Sequence, residues 1–293
     1  MEIELKRNIV SGYKQIDKSE AYCAVSADIV VPDTQEDISR ILSVSPSYKI
    51  KSKDIEEGGL IICGEVDVTV AYAAEGDGGI SSLHTSIPFE KRFDIGTLHG
   101  GCVSDADISV SAVDARMLNP RKVLVSAEIR ISQKSYDICE IVWYSEPENC
   151  PKKMFMRSDT RKLRYISSVA EKTFSLEEEY AIGSESGKLL AYEVKYLDDS
   201  ADRVGNKMIV KGHAEVSAFY LSDSMSPENL RFSIPFSQLF DIPDGEGIPD
   251  HEMIILSTGE YFELADGKIY CDMHAVAQLV CTEEREIRYV DDM

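Results

Sequence analysis

The feature that most constrains this chain is an internal duplication. Ser86–Ile95 reads S-I-P-F-E-K-R-F-D-I and Ser233–Ile242 reads S-I-P-F-S-Q-L-F-D-I, identical at seven of ten positions and offset by 147 residues. Upstream, Leu60–Tyr72 (L-I-I-C-G-E-V-D-V-T-V-A-Y) aligns with Met208–Tyr220 (M-I-V-K-G-H-A-E-V-S-A-F-Y) at an offset of 148, pairing Gly64 with Gly212, Val68 with Val216 and Tyr72 with Tyr220. The one-residue difference falls in 73–85 and 221–232, read as loops, where length changes are tolerated. A chain made of one unit used twice must solve the same packing problem twice, so whatever fold is assigned to one copy is assigned to both.

The repeated segments have strand chemistry. Val66, Val68, Val70 and Tyr72 fall on one face and Glu65, Asp67 and Thr69 on the other, the period-two pattern of a half-buried antiparallel strand. Gly64 and Gly212 interrupt that pattern in both copies and are expected to mark a bulge or a close backbone approach. Phe89, Phe93, Phe236 and Phe240 recur at equivalent places and are expected as core anchors, while Asp94 and Asp241 are expected to satisfy backbone donors at a turn. Downstream, each copy carries a long hairpin. The first runs from Ile108, turns at Asn119-Pro120 and returns with Val123, Val125, Ala127, Ile129 and Ile131 on one face. The second runs from Met253 to Phe262, turns at Asp266-Gly267 and returns with Ile269, Cys271, Met273, Ala275, Ala277 and Leu279.

Upstream alternation at Cys23, Val25, Ala27, Ile29 and Val31 is matched more weakly by Phe174, Leu176, Tyr180 and Ile182. A short helix is expected after the first of these: Pro32-Asp33-Thr34 offers capping groups, and Ile38, Ile41 and Leu42 share an apolar face at helical spacing. Its counterpart is Ser184–Tyr192, with Leu189 and Leu190. The resulting organisation is an N-terminal segment 1–20, a module over 21–138, a connector over 139–171 and a second module over 172–293. The fold class is all-β, two tandem sandwich or partly open barrel modules, each with at most a short helix.

With 31 basic against 52 acidic residues the net charge is −21, which argues against a nucleic-acid backbone or an anionic membrane surface as partner and favours solubility of a β-rich chain. The start, M-E-I-E-L-K-R-N, has no apolar core of a signal peptide, and no run approaches the roughly 18 apolar residues of a membrane span, so a cytoplasmic protein without direct membrane insertion is expected. The connector holds the one basic stretch, Lys152, Lys153, Arg157, Arg161, Lys162 and Arg164, read as a solvated segment paired with acidic surfaces. Seven cysteines, an odd number without C-x-x-C, read as reduced thiols.

No catalytic, cofactor or metal constellation emerges, and none is expected. His84, His99, His213, His251 and His274 form no H-x-x-x-H pair; Asp250-His251-Glu252 precedes strand-like residues rather than a helix. Gly183-Ser184-Glu185-Ser186-Gly187 only approximates a nucleophile elbow. Asp105/Asp107 and Asp244/Glu246 are read as solvated acidic pairs.

The order strand, P-D-x-x-x-D-I-x-x-I-L (Pro32–Leu42), G-x-V-x-V-x-V-x-Y (Gly64–Tyr72), S-I-P-F-x-x-x-F-D-I (Ser86–Ile95) and long hairpin resembles the SPOCS domain of SipL-type clostridial spore coat assembly proteins. Copy two keeps the glycine strand and the I-P-F segment but not the first signature. The resemblance implies a non-enzymatic adaptor in the mother-cell cytoplasm, at the forespore surface or in the spore coat. The implied partners are other spore coat proteins and a coat morphogenetic ATPase, and self-association stays open. SipL-type proteins usually carry a C-terminal LysM module, and no LysM-like segment follows copy two here, which suggests a shorter paralogue or a member with its own role. Two other classes remain: a carbohydrate- or cell-wall-binding β-module, which calls for exposed aromatic rows although Trp143 is the single tryptophan, and an unrecognised hydrolase, which calls for a pocket holding paired carboxylates or a Cys–His pair.

Overall fold

A computed structural model describes residues 4–76, 79–146, 157–183, 187–245 and 247–292, and every regular element among them is a β-strand. The first six are β1 (Lys6–Val30), β2 (Ile38–Glu56), β3 (Gly59–Ala74), β4 (Ile80–Asp94), β5 (Val103–Asn119) and β6 (Lys122–Ser145). The second six are β7 (Arg157–Ala181), β8 (Lys188–Val204), β9 (Lys207–Leu221), β10 (Pro227–Asp241), β11 (Asp250–Ala265) and β12 (Lys268–Asp292). In each half a meander, β2-β3-β4 or β8-β9-β10, forms a three-stranded sheet, and the other three strands belong to one six-stranded sheet of order β11-β12-β7-β1-β6-β5. That order reads the same from either end once β1 is equated with β7 and β6 with β12. Each module is therefore an open sandwich of two three-stranded layers, and none of the sheets closes into a barrel.

The period-two faces are where the sequence puts them. Leu60, Ile62, Val66, Val68, Val70 and Tyr72 of β3 and Val123, Val125, Ala127, Ile129 and Ile131 of β6 line the first core, with Phe89 and Phe93 among them. In the second module the equivalent residues split into two clusters, one around Val216, Ile234, Ile269 and Met273 and one around Met208, Val210, Phe240 and Leu279. Asp266 and Gly267 both take positive φ (52° and 70°), the hairpin geometry their dipeptide favours. The loops at 73–85 and 221–232 are in large part strand, since β3 pairs with β4 up to Ala73↔Ile80 and β9 with β10 up to Leu221↔Pro227, which leaves six residues between the paired ends in the first copy and five in the second.

Gly64 and Gly212 satisfy both readings given for them. Gly64 pairs with Ile50 on one side, beside a β2 bulge between Ile50 and Ser52, and with Phe89 on the other. Gly212 repeats this with Asp198, a bulge between Asp198 and Ser200, and Phe236. A Cβ at Gly64 would lie 2.5 Å from the Lys49 carbonyl oxygen and 2.6 Å from the Phe89 ring; at Gly212 the distances would be 2.2 Å to Leu197 O and 2.5 Å to Phe236. The phenyl ring covers the missing side chain, and the glycine lets the bulged strand come close.

The expected helix at Pro32–Leu42 is not formed, nor is its counterpart. Pro32–Asp37 is an irregular turn clamped by Arg121, which donates to the carbonyls of Val31 and Pro32 (3.0 Å each) and to Asp37 (2.6 Å), and β2 begins at Ile38. Bulges between Ile38 and Arg40 and between Ile41 and Ser43 each add one residue, so Ile38, Ile41 and Val44 face the core at a spacing of three that imitates helical periodicity. In the second copy a bulge between Leu189 and Ala191 gives Leu189 and Tyr192 the same spacing within β8, while 184–186 lie outside the described residues.

The N-terminal segment and the connector are largely strand. β1 pairs with β6 from Lys6↔Ser145 to Val30↔Lys122, and β7 pairs with β12 from Arg157 onward. Arg157, Arg161, Lys162 and Arg164 sit on β7, where Lys162 meets Glu284 (2.6 Å), Arg164 meets Asp250 (3.0 Å), Arg157 meets Asp291 (3.8 Å) and Arg161 lies over the Tyr289 ring. Trp143 is in β6 under Arg285. Pro147, Cys150, Pro151, Lys152 and Lys153 lie outside the described residues.

Candidate functional site

The modules meet along equivalent strands. β1 and β7 bridge antiparallel at Tyr13↔Ile166, and antiparallel contact between equivalent strands relates the two halves by an approximate two-fold. Gly12 makes the approach fit, since a Cβ there would stand 2.8 Å from Ile166 O and 2.9 Å from the Tyr165 ring. The large sheet coils strongly enough for Gln278 of β12 to reach β5, with three strands between them in the sheet order: its amide donates to Ala106 O (2.7 Å) and accepts from Ala106 N (3.0 Å). Lys53 joins this contact, donating to Gln278 (2.9 Å), to Ser104 O and to Glu171. On the same side, Ile254 and Leu256 from the outer face of β11 pack into the core of the first module.

Between β2 and β5 of one module and β8 and β11 of the other lies a cleft of about 610 Å³ that contains Tyr48, Tyr192, Tyr196, Ser257 and Glu260. Burial pushes all three phenols above their ordinary value, with Glu260 adding to each. Burial likewise pushes the Glu260 carboxyl up to about 7; the Asp67 charge reinforces that, and the Ser257 hydroxyl and Lys49 ammonium oppose it. Tyr196 Oη is buried without a hydrogen-bond partner among the described residues, and Tyr192 Oη reaches only the Glu260 carbonyl at 3.5 Å. Tyr192 stacks on Phe262 with centroids 4.1 Å apart, so its ring is fixed from below. The cleft thus presents phenol donors and a carboxyl that is largely protonated below neutral pH, set in apolar walls of Val44, Ile108 and Val194. Such a lining suits carbonyl or hydroxyl acceptors, including the backbone of an extended segment. The other acidic group acting on Glu260, Asp67, is held by Lys49 at 3.0 Å.

Asp105 corrects one expectation. It is a buried residue of β5, accepting hydrogen bonds from Tyr136 Oη (2.8 Å) and the Lys134 amide (3.2 Å), and burial raises its pKa. Beside it runs a buried polar chain in which Ser104 and Ser135 share a hydrogen bond (2.8 Å), Ser135 donates to Gln133 (2.7 Å), and Gln133 donates to Ser19 (2.7 Å) and Asp17 (2.5 Å). Asp107 does remain near the surface, paired with Arg130 at 3.0 Å. Asp94 and Asp241 also depart from the capping role: Asp94 accepts from Arg92 (3.0 Å) and Asp241 pairs with Lys207. His213 is held by Asp199 at 2.9 Å, which raises its pKa, His274 faces Asp272 at 3.2 Å, and His251 only approaches Pro249 O. Glu246 lies outside the described residues. Among the described residues six cysteines are free thiols, and burial pushes Cys271 and Cys281 up to about 12. The cleft was missed in the sequence because its residues come from both modules. The signal that existed was Tyr48 and Tyr196, at equivalent positions 148 apart on β2 and β8.

The family model of the SipL, SPOCS domain matches residues 37–118 and 187–257, just over half of the 293 residues. The chain belongs to the SipL SPOCS-domain family. No curated protein and no solved structure matches it. Each SPOCS match starts at the head of β2 or β8 and runs into β5 or β11, so it covers one complete three-stranded sheet together with nearly all of β5 in the first module and the first half of β11 in the second. β1, β6, β7 and β12 lie outside the SPOCS matches, yet they supply the inner four strands of the six-stranded sheet. Tyr48, Tyr192, Tyr196 and Ser257 of the cleft fall inside the matched segments, and Glu260 lies three residues beyond the second.

Proposed function

We propose that this protein is a non-enzymatic adaptor of spore coat assembly that works by binding other coat proteins in the mother-cell cytoplasm and at the forespore surface. The observation that carries the reading is the SPOCS match in both modules, because the SPOCS family points to a sporulation-related role and is not known as enzymatic. The shape of the molecule is consistent with it. The intermodule cleft offers donors to a partner's carbonyl groups, whereas the outer strand β10 already has its Ser233 and Leu239 carbonyls taken by Tyr180 and Lys172. Coat proteins, the coat morphogenetic ATPase among them, are the partners proposed.

The test is capture of the full tagged chain from sporulating cells after brief crosslinking. Enrichment of coat proteins over a tag-only control is the expected outcome. Recovery of no protein partner, together with retention on purified cell-wall glycan, would replace the adaptor by the wall-binding reading. Turnover of a glycan or peptide substrate that is lost in E260Q would replace it by a hydrolase.

A further inference from the structure

The loop from Ile95 to Cys102 carries β4 across to β5, and it is tightly built. Leu98 is 1% exposed, its amide donates to Ile95 O (2.8 Å) and its carbonyl accepts from Gly58 N (2.9 Å). The Cys102 amide then donates to His99 O (2.9 Å), closing His99-Gly-Gly-Cys102 into one turn. Because Val103 pairs with Tyr136, Cys102 stands opposite Asp137 of β6. His99 Nε2 is 3.5 Å from Asp137 Oδ1, and one ligand atom from each of His99, Cys102 and Asp137 lies within 4.8 Å of the other two. Cys102 is buried, Asp137 half-buried and His99 exposed, so the trio opens to solvent on one side.

The second module shows what occupies this corner when the chain supplies its own cation. The residue equivalent to Asp137 is Glu283, since Tyr136 and Thr282 both sit beside a bulge in the neighbouring strand. Glu283 pairs with Arg203 at 3.2 Å, and Arg203, whose side chain is 5% exposed, also donates to Gly247 O (3.2 Å) and Pro243 O in the second crossover loop. In the first module Arg203 is replaced by Ile55, which pairs with Leu60 as Arg203 pairs with Met208. Leu98 stands where the second module has Gly245, whose Cβ would lie 2.8 Å from the guanidinium. The carboxylate is kept, the arginine is lost, and a histidine and a thiol are added.

We propose that His99, Cys102 and Asp137 bind a divalent metal ion of the zinc class, which ties the β4–β5 loop to β6 as Arg203 ties the second loop to β12. Imidazole, thiolate and carboxylate are all zinc ligands, and a water on the exposed side completes four-coordination. With zinc–ligand bonds of about 2.0–2.3 Å the ligand atoms of a tetrahedral site stand roughly 3.3–3.7 Å apart, so the trio closes by about 1 Å on binding. Thiolate and carboxylate balance the two positive charges, and binding releases the Cys102 proton. His99 Nδ1 accepts from the Gly101 amide at 3.1 Å, so metal at Nε2 requires the ring proton to move to Nδ1 and that hydrogen bond to break, a rearrangement that Gly100-Gly101 can follow.

The untagged full chain, stripped with chelator, is titrated with Co²⁺ and then Zn²⁺. One Co²⁺ per chain with a thiolate-to-cobalt charge-transfer band, displaced by Zn²⁺, is expected, together with a higher melting temperature in Zn²⁺ than in chelator. C102S abolishes the band, and H99Q and D137N weaken binding at least about tenfold, while C63S and C139S change nothing. Absence of the band in the unaltered chain, or its survival in C102S, overturns the site. Should C102S not fold, exposed His99 decides the matter, because full Zn²⁺ affinity in H99Q overturns the proposal equally.

Discussion

A strand glycine with no room for a Cβ is a sharper constraint than a buried valine, because what it would meet is backbone. At Gly212 the added carbon would fall 2.2 Å from Leu197 O, and the Phe236 ring that now covers the glycine would also have to move. Gly212→Ala is therefore expected to destabilise the chain by about 1–3 kcal/mol, the usual cost of overpacking, read as a lower urea midpoint with an unchanged slope. A midpoint equal to that of the unaltered chain would show that the bulged strand yields freely. Glu260 makes the second residue-scale prediction. Burial raises its folded pKa from 4.5 to about 7. Between those values the folded chain holds a proton that the unfolded chain has lost, so stability is full below the unfolded value and falls as pH rises toward 7. Glu260→Gln removes the titrating group. It is expected to exceed the unaltered chain in stability at pH 8 by about 1–3 kcal/mol, discounted for a side chain that is not fully enclosed, with the gap closing near pH 4.5. Urea unfolding at the two pH values checks this, and a gap independent of pH would refute it.

At the scale of elements, the hairpins and the glycine strands were legible because each carries its signal in consecutive residues: alternation in Val123–Ile131, Asp-Gly at the second turn, and the same phenylalanines in both copies. The helix expectation at Ile38, Ile41 and Leu42 failed for a definite reason. Two bulges in β2 turn a period of two into a spacing of three, and only the pairing partner, β3, reveals where the extra residues sit. The trio of His99, Cys102 and Asp137 was not read from the sequence, because Asp137 joins the loop only through the β5–β6 register. Gln278 was invisible for the same kind of reason: it is a lone amide in the apolar run Ala275–Cys281 of β12, and its partner Ala106 is 172 residues away. Its amide supplies both missing hydrogen bonds of a buried β5 edge residue. Gln278→Leu leaves Ala106 N and O unpaired and takes an acceptor from Lys53, so a loss of about 2–4 kcal/mol is expected from two buried orphaned groups. The matching measurement is hydrogen exchange, in which the Ala106 amide should lose protection in the variant well before the amides of β3. Unchanged protection at Ala106 would mean that the edge is shielded by something other than this side chain.

For the whole molecule, the question is whether two copies of one unit behave as two domains. Repetition in sequence suggests independence, and the contacts argue the opposite. The first core takes Leu256 and Ile254 from β11, which belongs to the second module. The equivalent β5 residues, Ser109 and Asp107, are polar and make no such insertion, so the dependence runs mainly one way: the first module needs the second. A six-stranded sheet crosses the boundary, and Lys53 and Gln278 stitch the far side. Burying Leu256 and Ile254 is worth about 1.5–3 kcal/mol each when complete, a sizeable share of the 5–15 kcal/mol that holds a domain of this size folded. The chain is accordingly expected to unfold in urea as one transition, with tryptophan emission from Trp143, in the first module, and far-UV circular dichroism changing together. Leu256→Asp places a charge in the first core and is expected to separate them, with the fluorescence midpoint falling first while roughly half of the β-signal persists to higher urea. If the two probes stay coincident in that variant, or are already separate in the unaltered chain, the modules are coupled in some other way than through β11.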